Sequence, residues 1–237
     1  SDSVFSDTTM NYGLGGSLEG TIGPGNIFVA CQGTINAGDT LTILPGTQLD
    51  FSNCGITING VLRAEGTVTD SIIFTNYQGK QMGSIEMDNA SGRSLISYAV
   101  TRGDISSYAF RSTSGCFTFK HTAFRDLSPY SGLYSVSSQV DTLENCLFKT
   151  VNTTSGHRGA ISVTNSGSLY ILDCDFKDCH ASQTSNYTHP SGGAISVRIN
   201  NGGDPDIDII SSVFHDNTGV NPGGSSVSTY GGVAIGE

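Results

Sequence analysis

This sequence of 237 residues is poor in several residue types and patterns that define common protein classes. It contains no Trp, and charged residues make up only 14% of it. No apolar run approaches the ~18 residues that a membrane-spanning helix needs, so no membrane span is expected. The six cysteines show no C-x-x-C spacing and the five histidines show no metal-ligand spacing. The sequence therefore predicts neither a metal site nor a cofactor.

Basic residues are also scarce, and this limits the partners. Eleven Lys and Arg stand against 21 Asp and Glu, which gives a net charge of −10. Such a surface repels phosphate backbones and anionic lipid, so we expect no nucleic-acid partner. The cysteine content is compatible with an oxidising compartment, and the predicted location is secreted or at the cell surface.

Glycine is abundant, with 31 positions, and small polar residues separate short apolar runs. Helix interiors need Ala, Leu, Glu and Lys, whereas Gly and turn-forming residues recur here every few positions. This composition predicts an all-β protein.

A repeat of about 24 residues organises the apolar runs. One large apolar residue per period stands at intervals of 23, 23, 26, 24, 24, 28 and 38 residues, namely at Phe28, Phe51, Phe74, Val100, Phe124, Phe148, Phe176 and Phe214. A second ladder with similar intervals consists of Ile85, Phe110, Tyr134, Ile161 and Ile195. A third ladder consists of Leu95, Phe119, Leu143, Leu169 and Ile207.

Three short strands per period are typical of a parallel β-helix. We predict an all-β fold with a single right-handed parallel β-helix over residues 1–237, a solenoid of about eight coils, with residues 1–22 as a candidate N-terminal cap. The right hand follows from the usual hand of parallel connections. A β-sandwich would also show short strands and Gly-rich turns, but it predicts no recurrence of like residues in one phase.

Side chains alternate between the interior and water along a strand, so the residue after each ladder position should face water. This outward position holds small polar residues in the early coils and basic residues in the later ones. Its members are Ser52, Thr75, Thr101, Arg125, Lys149, Lys177 and His215.

Two short motifs resemble the repeats of a known family. GGAISV at 192–197 and RGAISV at 158–163, followed by FKDC and FHDN, resemble the GGAI and FxxN repeats of the chlamydial polymorphic membrane proteins and related adhesin-like β-helices. Residues 41–75 are similar to the first coils of many bacterial secreted right-handed β-helix proteins. The resemblance implies a surface-displayed passenger domain, often adhesive, whose partner is a protein or glycan at a cell surface.

The alternative function is a polysaccharide-acting enzyme, a lyase or hydrolase of the pectate-lyase-like class. Such enzymes need carboxylates that hold calcium beside an Arg or Lys base, or two carboxylates flanking a glycosidic bond. The sequence has SGHRG around His157 and VRIN around Arg198, but it lacks the NTD and DD motifs of polygalacturonase-like enzymes. We assign no catalytic residue, and binding is the main prediction. A groove with two carboxylates and one basic residue within bonding reach would favour the enzyme.

Four cysteines stand in equivalent places of neighbouring coils. Cys31 and Cys54 each follow a ladder Phe by three residues, whereas Cys146 and Cys174 each precede one by two. A coil rise of about 4.8 Å falls within the Cα separations that a disulfide tolerates. Each pair is therefore either a disulfide or two stacked free thiols.

The later coils carry insertions at one corner. From the first ladder to the second, the spacing grows from 11, 10 and 10 residues to 13, 19 and about 20. Insertions on one face of a solenoid stack on each other, and that face is often the binding one. Because aromatic groups on polar loops bury much area, the candidate binding residues are Tyr187, His189 and Tyr230.

The segment GGVAIGE at 231–237 resembles the start of another coil. Val233 and Ile235 stand where Ala194 and Ile195 begin such a strand, and this would leave an apolar layer uncovered. We therefore expect further coils at this end, or an end-to-end, subunit or partner contact.

Overall fold

The computed structural model describes residues 13–88, 90, 92–154, 159–182, 192–198, 204–221, 228–230 and 233–236. These residues form short strands and turns, without a helix. In chain order the strands are β1 (Gly13–Ser17), β2 (Gly20–Ile22), β3 (Gly25–Ile35), β4 (Thr40–Ile43), β5 (Thr47–Phe51), β6 (Ile56–Ile58), β7 (Val61–Glu65), β8 (Ile72–Asn76), β9 (Ile85–Met87), β10 (Arg93–Ser97), β11 (Ala99–Asp104), β12 (Phe110–Ser112), β13 (Cys116–Lys120), β14 (Ala123–Ser128), β15 (Leu133–Ser135), β16 (Val140–Glu144), β17 (Leu147–Thr153), β18 (Ile161–Thr164), β19 (Ser168–Leu172), β20 (Asp175–Lys177), β21 (His180–Ser182), β22 (Ile195–Arg198), β23 (Ile207–Ile210), β24 (Val213–His215), β25 (Thr218–Asn221), β26 (Ser228–Tyr230) and β27 (Val233–Gly236).

Most of these strands stack in parallel on three faces. Face A is the eight-stranded sheet of β2, β4, β7, β10, β13, β16, β19 and β23. Face B contains the first half of β3, then β5, β8, β11, β14, β17, β20 and β24. Face C contains the second half of β3, then β6, β9, β12, β15, β18, β22 and β27. The chain visits faces A, B and C in turn, which is the path of a parallel β-solenoid.

The predicted all-β parallel solenoid is confirmed. The stack amounts to about six turns, slightly fewer than the eight coils predicted. Within the candidate N-terminal cap, β1 pairs with β3 and β2 pairs with β4. These two strands therefore join the stack in the same way as the strands of a coil.

The later coils of face B have the register that the sequence predicts. Phe124, Phe148, Phe176 and Phe214 follow one another in a single inward column. Successive rings stack with centroid distances of 4.5, 4.8 and 4.7 Å. Phe124 and Phe148 have no exposed surface, as predicted. Each ring thus covers the one before it, and the column forms a continuous core.

One coil earlier the predicted register is wrong by one residue. Phe124 lies opposite Thr101, and Thr101 lies opposite Phe74. Thr101 is fully buried and Val100 is half-buried on the outer side, the reverse of the prediction. Because Ala99 pairs with the inward residue of the preceding coil, strict alternation places Thr101 inward.

The first two members of the predicted face B ladder are also displaced. Phe74 lies opposite Leu49, not Phe51. Phe51 is buried, but it occupies the next inward position, opposite Val29. Phe28 lies on the outer side, so it does not belong to the core. Turns of unequal length separate these strands, and a period that varies by several residues cannot fix the register.

The other two ladders need similar corrections. On face C, Leu133 and not Tyr134 continues the column between Phe110 and Ile161, and Tyr134 lies on the outer side. On face A, Phe119 pairs with Ile96 instead of Leu95.

The face A ladder also combines two neighbouring columns. Leu143 lies opposite Ile171, whereas Leu169 lies opposite Asp141. Asp141 therefore points into the core, in a column that contains Phe117 in the coil before.

Residues with left-handed backbone form two of the corners. At the corner from face A to face B, φ lies between 46° and 52° for Tyr98, His121, Asn145, Asp173 and Ser211. At the corner from face B to face C, φ lies between 52° and 57° for Asp126, Thr150, Asp178 and Asp216. One left-handed residue turns the chain sharply, and Asp and Asn tolerate this conformation better than most residues.

The repeated motifs have a structural role at the second of these corners. A Cβ atom at Gly193 would lie 2.5 Å from the carbonyl oxygen of Cys179 and 2.6 Å from the amide nitrogen of Thr218, so GGAI needs glycine here. In the FxxN motif, Asn217 is buried and its Oδ1 accepts a hydrogen bond from the amide of Cys179 at 2.9 Å. Its Nδ2 donates to the carbonyl oxygen of Phe176 at 2.8 Å. The Asn therefore joins its own coil to the preceding one.

Candidate functional site

The outer surface of face B carries a row of basic side chains in register. Equivalent outward positions of five consecutive coils hold Arg102, Arg125, Lys149, Lys177 and His215, which we call the cation row. Each member follows an inward residue of its strand, so strand alternation directs its side chain outward. With a coil rise of about 4.8 Å, the row is about 19 Å long.

Sequence reasoning found four of the five members. It placed Thr101 in the outward position of the fourth coil, and the corrected register puts Arg102 there instead. Alternation along the strand could have identified Arg102. Ala99 and Thr101 are both small enough for the interior, and if they point inward, Arg102 points outward. With Arg102 included, the row is unbroken over five coils.

The cation row is not neutralised within the described part of the chain. Its members other than His215 form no ion pair with any carboxylate there. By contrast, Arg63, Arg111 and Lys120 each pair with a Glu, at 3.8, 3.0 and 2.6 Å. Two like charges 4 Å apart repel by about 1 kcal/mol even in water. Like charges opposite each other also destabilise a sheet.

The last member of the row differs from the others. His215 Nε2 lies 2.9 Å from Asp175 Oδ1, and its Nδ1 lies 3.4 Å from Asp216 Oδ2. Two carboxylates and a basic group therefore meet, as the enzyme alternative requires. However, they lie on the outer surface of a strand, and both ring nitrogens are engaged. The imidazole is therefore held between two carboxylates of the protein itself.

An apolar strip runs beside the cation row. It consists of Ile73, Val100, Ala123 and Leu147, which occupy one outward column two residues before the row. All four are half-buried. Face B therefore presents charge and apolar surface in two parallel lines along the solenoid axis.

An aromatic pocket lies at the N-terminal end of the same face. It has a volume of about 270 Å³ and is lined by Asn26, Phe28, Asp50 and Tyr77. The rings of Phe28 and Tyr77 meet edge to face, with centroids 5.0 Å apart. Gln48 Nε2 donates to Asp50 Oδ1 at 2.8 Å. Phe28 and Asp50 belong to the outward column that continues into the cation row.

The predicted loop residues are placed only in part. Tyr187 and His189 lie outside the described residues. Tyr230 belongs to β26, whose backbone pairs antiparallel with β25. The strands β17, β21 and β25 stack at one corner, so the three inserted segments, which follow these strands in the sequence, begin at the same corner. Whether Tyr187, His189 and Tyr230 contact a partner stays a prediction.

The six cysteines are free thiols in the structure. The amide of Cys146 lies 3.4 Å from Cys174 Sγ, and both residues are buried on adjacent coils. Cys31 is exposed, and Cys54 on the next coil is half-buried. The predicted neighbours thus lie on adjacent coils, and whether either pair forms a disulfide stays a prediction. Burial raises the pKa of the Cys146 thiol and raises that of Cys179 to about 12, which disfavours a thiolate nucleophile at either position.

Asp141 is a buried acid that sequence reasoning missed. Its carboxylate accepts hydrogen bonds from Ser112 Oγ at 2.5 Å and from the amide of Phe117 at 2.7 Å. Burial raises the pKa of Asp141 to about 6, against the lowering effect of these hydrogen bonds. The group has no access to solvent, so it belongs to the core and not to a surface site.

Other kinds of site find no support in the described ranges. Among these residues, no group of three or more His, Cys, Asp or Glu could hold a metal ion. No helix long and apolar enough to cross a membrane occurs in them.

A comparison with family models, curated proteins and solved structures found no match to this chain. The parallel β-solenoid is therefore established by the structure alone.

Proposed function

We propose that this chain is an adhesin-like binding domain of a secreted or cell-surface protein, and that face B holds an anionic protein or glycan. The domain acts as a rigid support that presents one long face to its partner. It performs no chemistry on that partner.

The cation row carries this proposal. Four of its members account for four of the 11 Lys and Arg in a chain of net charge −10. They stand side by side without carboxylate partners in the described part of the chain. Their mutual repulsion is relieved when an anion binds, and a locally positive surface raises the concentration of such a ligand.

The surface of face B favours binding over catalysis. The aromatic pocket contains one carboxylate and no basic group, whereas glycoside hydrolysis needs two carboxylates. The cluster around His215 has both ring nitrogens engaged. The resemblance of the GGAI and FxxN repeats to surface-displayed passengers agrees with a binding role.

A pair of matched variants tests the proposal. Arg125→Gln/Lys149→Gln removes two charges from the row, and Arg63→Gln/Lys120→Gln removes two from face A. Retention should be measured on immobilised acidic protein and on immobilised acidic polysaccharide, with circular dichroism to verify the fold. We expect the first variant to lose roughly tenfold in affinity for at least one matrix, since each exposed charge contact contributes up to ~1 kcal/mol.

The control should retain wild-type affinity. Equal losses in both variants would mean that net charge and not the row governs binding. Failure of the wild type to bind either matrix would refute the proposal.

A further inference from the structure

We infer that the ligand of the cation row is a linear polysaccharide with one carboxylate or sulfate group per sugar, bound parallel to the solenoid axis. This inference rests on the proposed function and specifies its partner. Three features of face B carry it: the spacing of the charges, the apolar strip and the aromatic pocket.

The charges repeat with the rise of the coil. The inward residues that precede four of the row members on their strands are Phe124, Phe148, Phe176 and Phe214. Their successive ring centroids lie 4.5, 4.8 and 4.7 Å apart, which gives the rise of the coil. One pyranose unit of an extended chain advances by a closely similar distance. A polysaccharide that carries one acidic group per sugar, and whose twist keeps these groups on one side of the chain, can therefore place successive anions against successive members of the row.

The apolar strip suits a chain of sugar rings. It lies two residues from the row along each strand, on the same outer surface. A pyranose ring has an apolar C–H face and a polar edge. With its acidic groups on the cation row, such a chain can lay its C–H faces over Val100, Ala123 and Leu147 and remove apolar surface from water.

The aromatic pocket provides the chemistry that recognises an uncharged sugar. The ring faces of Phe28 and Tyr77 can pack on C–H groups, and Asp50 and Asn26 offer hydrogen-bond partners for hydroxyl groups. The carboxylate of Asp50 stands in the same column as the cation row and repels a further anion. The anionic part of the ligand therefore ends before the pocket.

Other polyanions match this face less well. An extended acidic peptide presents carboxylates on one side at every second residue, about 6.8 Å apart. Duplex DNA places phosphates about 3.4 Å apart along each strand. In addition, the net charge of −10 opposes the approach of a nucleic acid.

A length series of oligogalacturonides, which carry one carboxylate per sugar, tests the inference by calorimetry on the intact chain. Affinity should rise with each added sugar until about four, the number of row members that form no ion pair in the described part of the chain, and then level off. Arg125→Gln/Lys149→Gln should weaken the five-sugar ligand by about tenfold. Arg63→Gln/Lys120→Gln should leave its affinity within about twofold of wild type.

Two comparison ligands separate this inference from the proposed function. They are a neutral five-sugar chain and a polyglutamate peptide of equal charge. If polyglutamate binds as tightly as the oligogalacturonide, or if affinity does not depend on length, the inference is wrong and the proposed anion-binding function stands. Equal binding of the neutral chain also overturns the inference. If neither polyanion binds, both proposals fail.

Discussion

The buried carboxylate of Asp141 makes the stability of this protein depend on pH in a way that can be worked out from the structure. Asp141 has no exposed surface, and its carboxylate accepts hydrogen bonds from Ser112 and from the amide of Phe117. Burial raises its pKa from the ordinary value of 3.8 to about 6. Replacing Asp141 with Asn removes this titration and nearly preserves the shape of the side chain.

The size of the effect follows from the two pKa values. The difference between 3.8 and about 6 corresponds to about 3 kcal/mol. The folded core favours the protonated acid, so this stabilisation is fully present below pH 3.8 and is lost as the pH rises through about 6. On account of this one group, the free energy of unfolding is therefore about 3 kcal/mol lower near pH 7 than below pH 3.8.

Urea unfolding followed by circular dichroism, at a series of pH values from below 3.8 to above 7, measures this effect. The unfolding free energy of wild type relative to Asp141→Asn should fall by about 3 kcal/mol as the pH rises across this range. Asp208→Asn is the matched control, because Asp208 is exposed on the same face, and it should follow the wild type. Parallel pH profiles of Asp141→Asn and wild type would refute the reasoning.

Three further predictions test the core and the thiols. Phe148→Ala should lower the free energy of unfolding by roughly 3 to 5 kcal/mol in denaturant titrations, because the ring is buried between two others; a loss below ~1 kcal/mol would contradict the ladder. Thr101→Val should raise the free energy of unfolding by about 1 to 2 kcal/mol, because Thr101 Oγ1 is buried without a hydrogen-bond partner. Val100→Thr should not raise it. If Val100→Thr stabilised the protein and Thr101→Val did not, Val100 and not Thr101 would be the inward residue. A thiol reagent should modify Cys31 first in the native protein, and six thiols should titrate in denaturant; a smaller total would reveal a disulfide.

The sequence by itself determined the class of fold. Each coil rests on the previous one, so an inward Phe such as Phe148 needs a large apolar residue at the same position above and below it. This demand recurs once per coil and leaves a period in the sequence. The glycine of one corner recurs for the same reason. Gly159 and Gly193 occupy equivalent positions, and a Cβ atom at either would lie within 2.9 Å of a backbone atom of the next coil.

The register within each coil was decided by the tertiary structure. Turns differ in length, so the intervals between ladder residues vary from 23 to 28 residues. With this variation, an error of one or two residues in the predicted inward position cannot be detected. The period therefore could not distinguish Val100 from Thr101, or show that Asp141 points into the core. These assignments depend on which backbone groups pair between coils, and that pairing exists only in the folded chain.

The candidate site, too, could be predicted from the sequence only in part. Alternation along the strands was enough to place Arg125, Lys149 and Lys177 on the outer surface. The sequence could not show that Arg102 continues the row, because this depends on the register. It also could not show that these cations lack carboxylate partners within the described residues, since three of the five ion pairs there join side chains that are 24 or more residues apart in the chain. The aromatic pocket likewise combines residues of three coils, which only the stacking of the solenoid brings together.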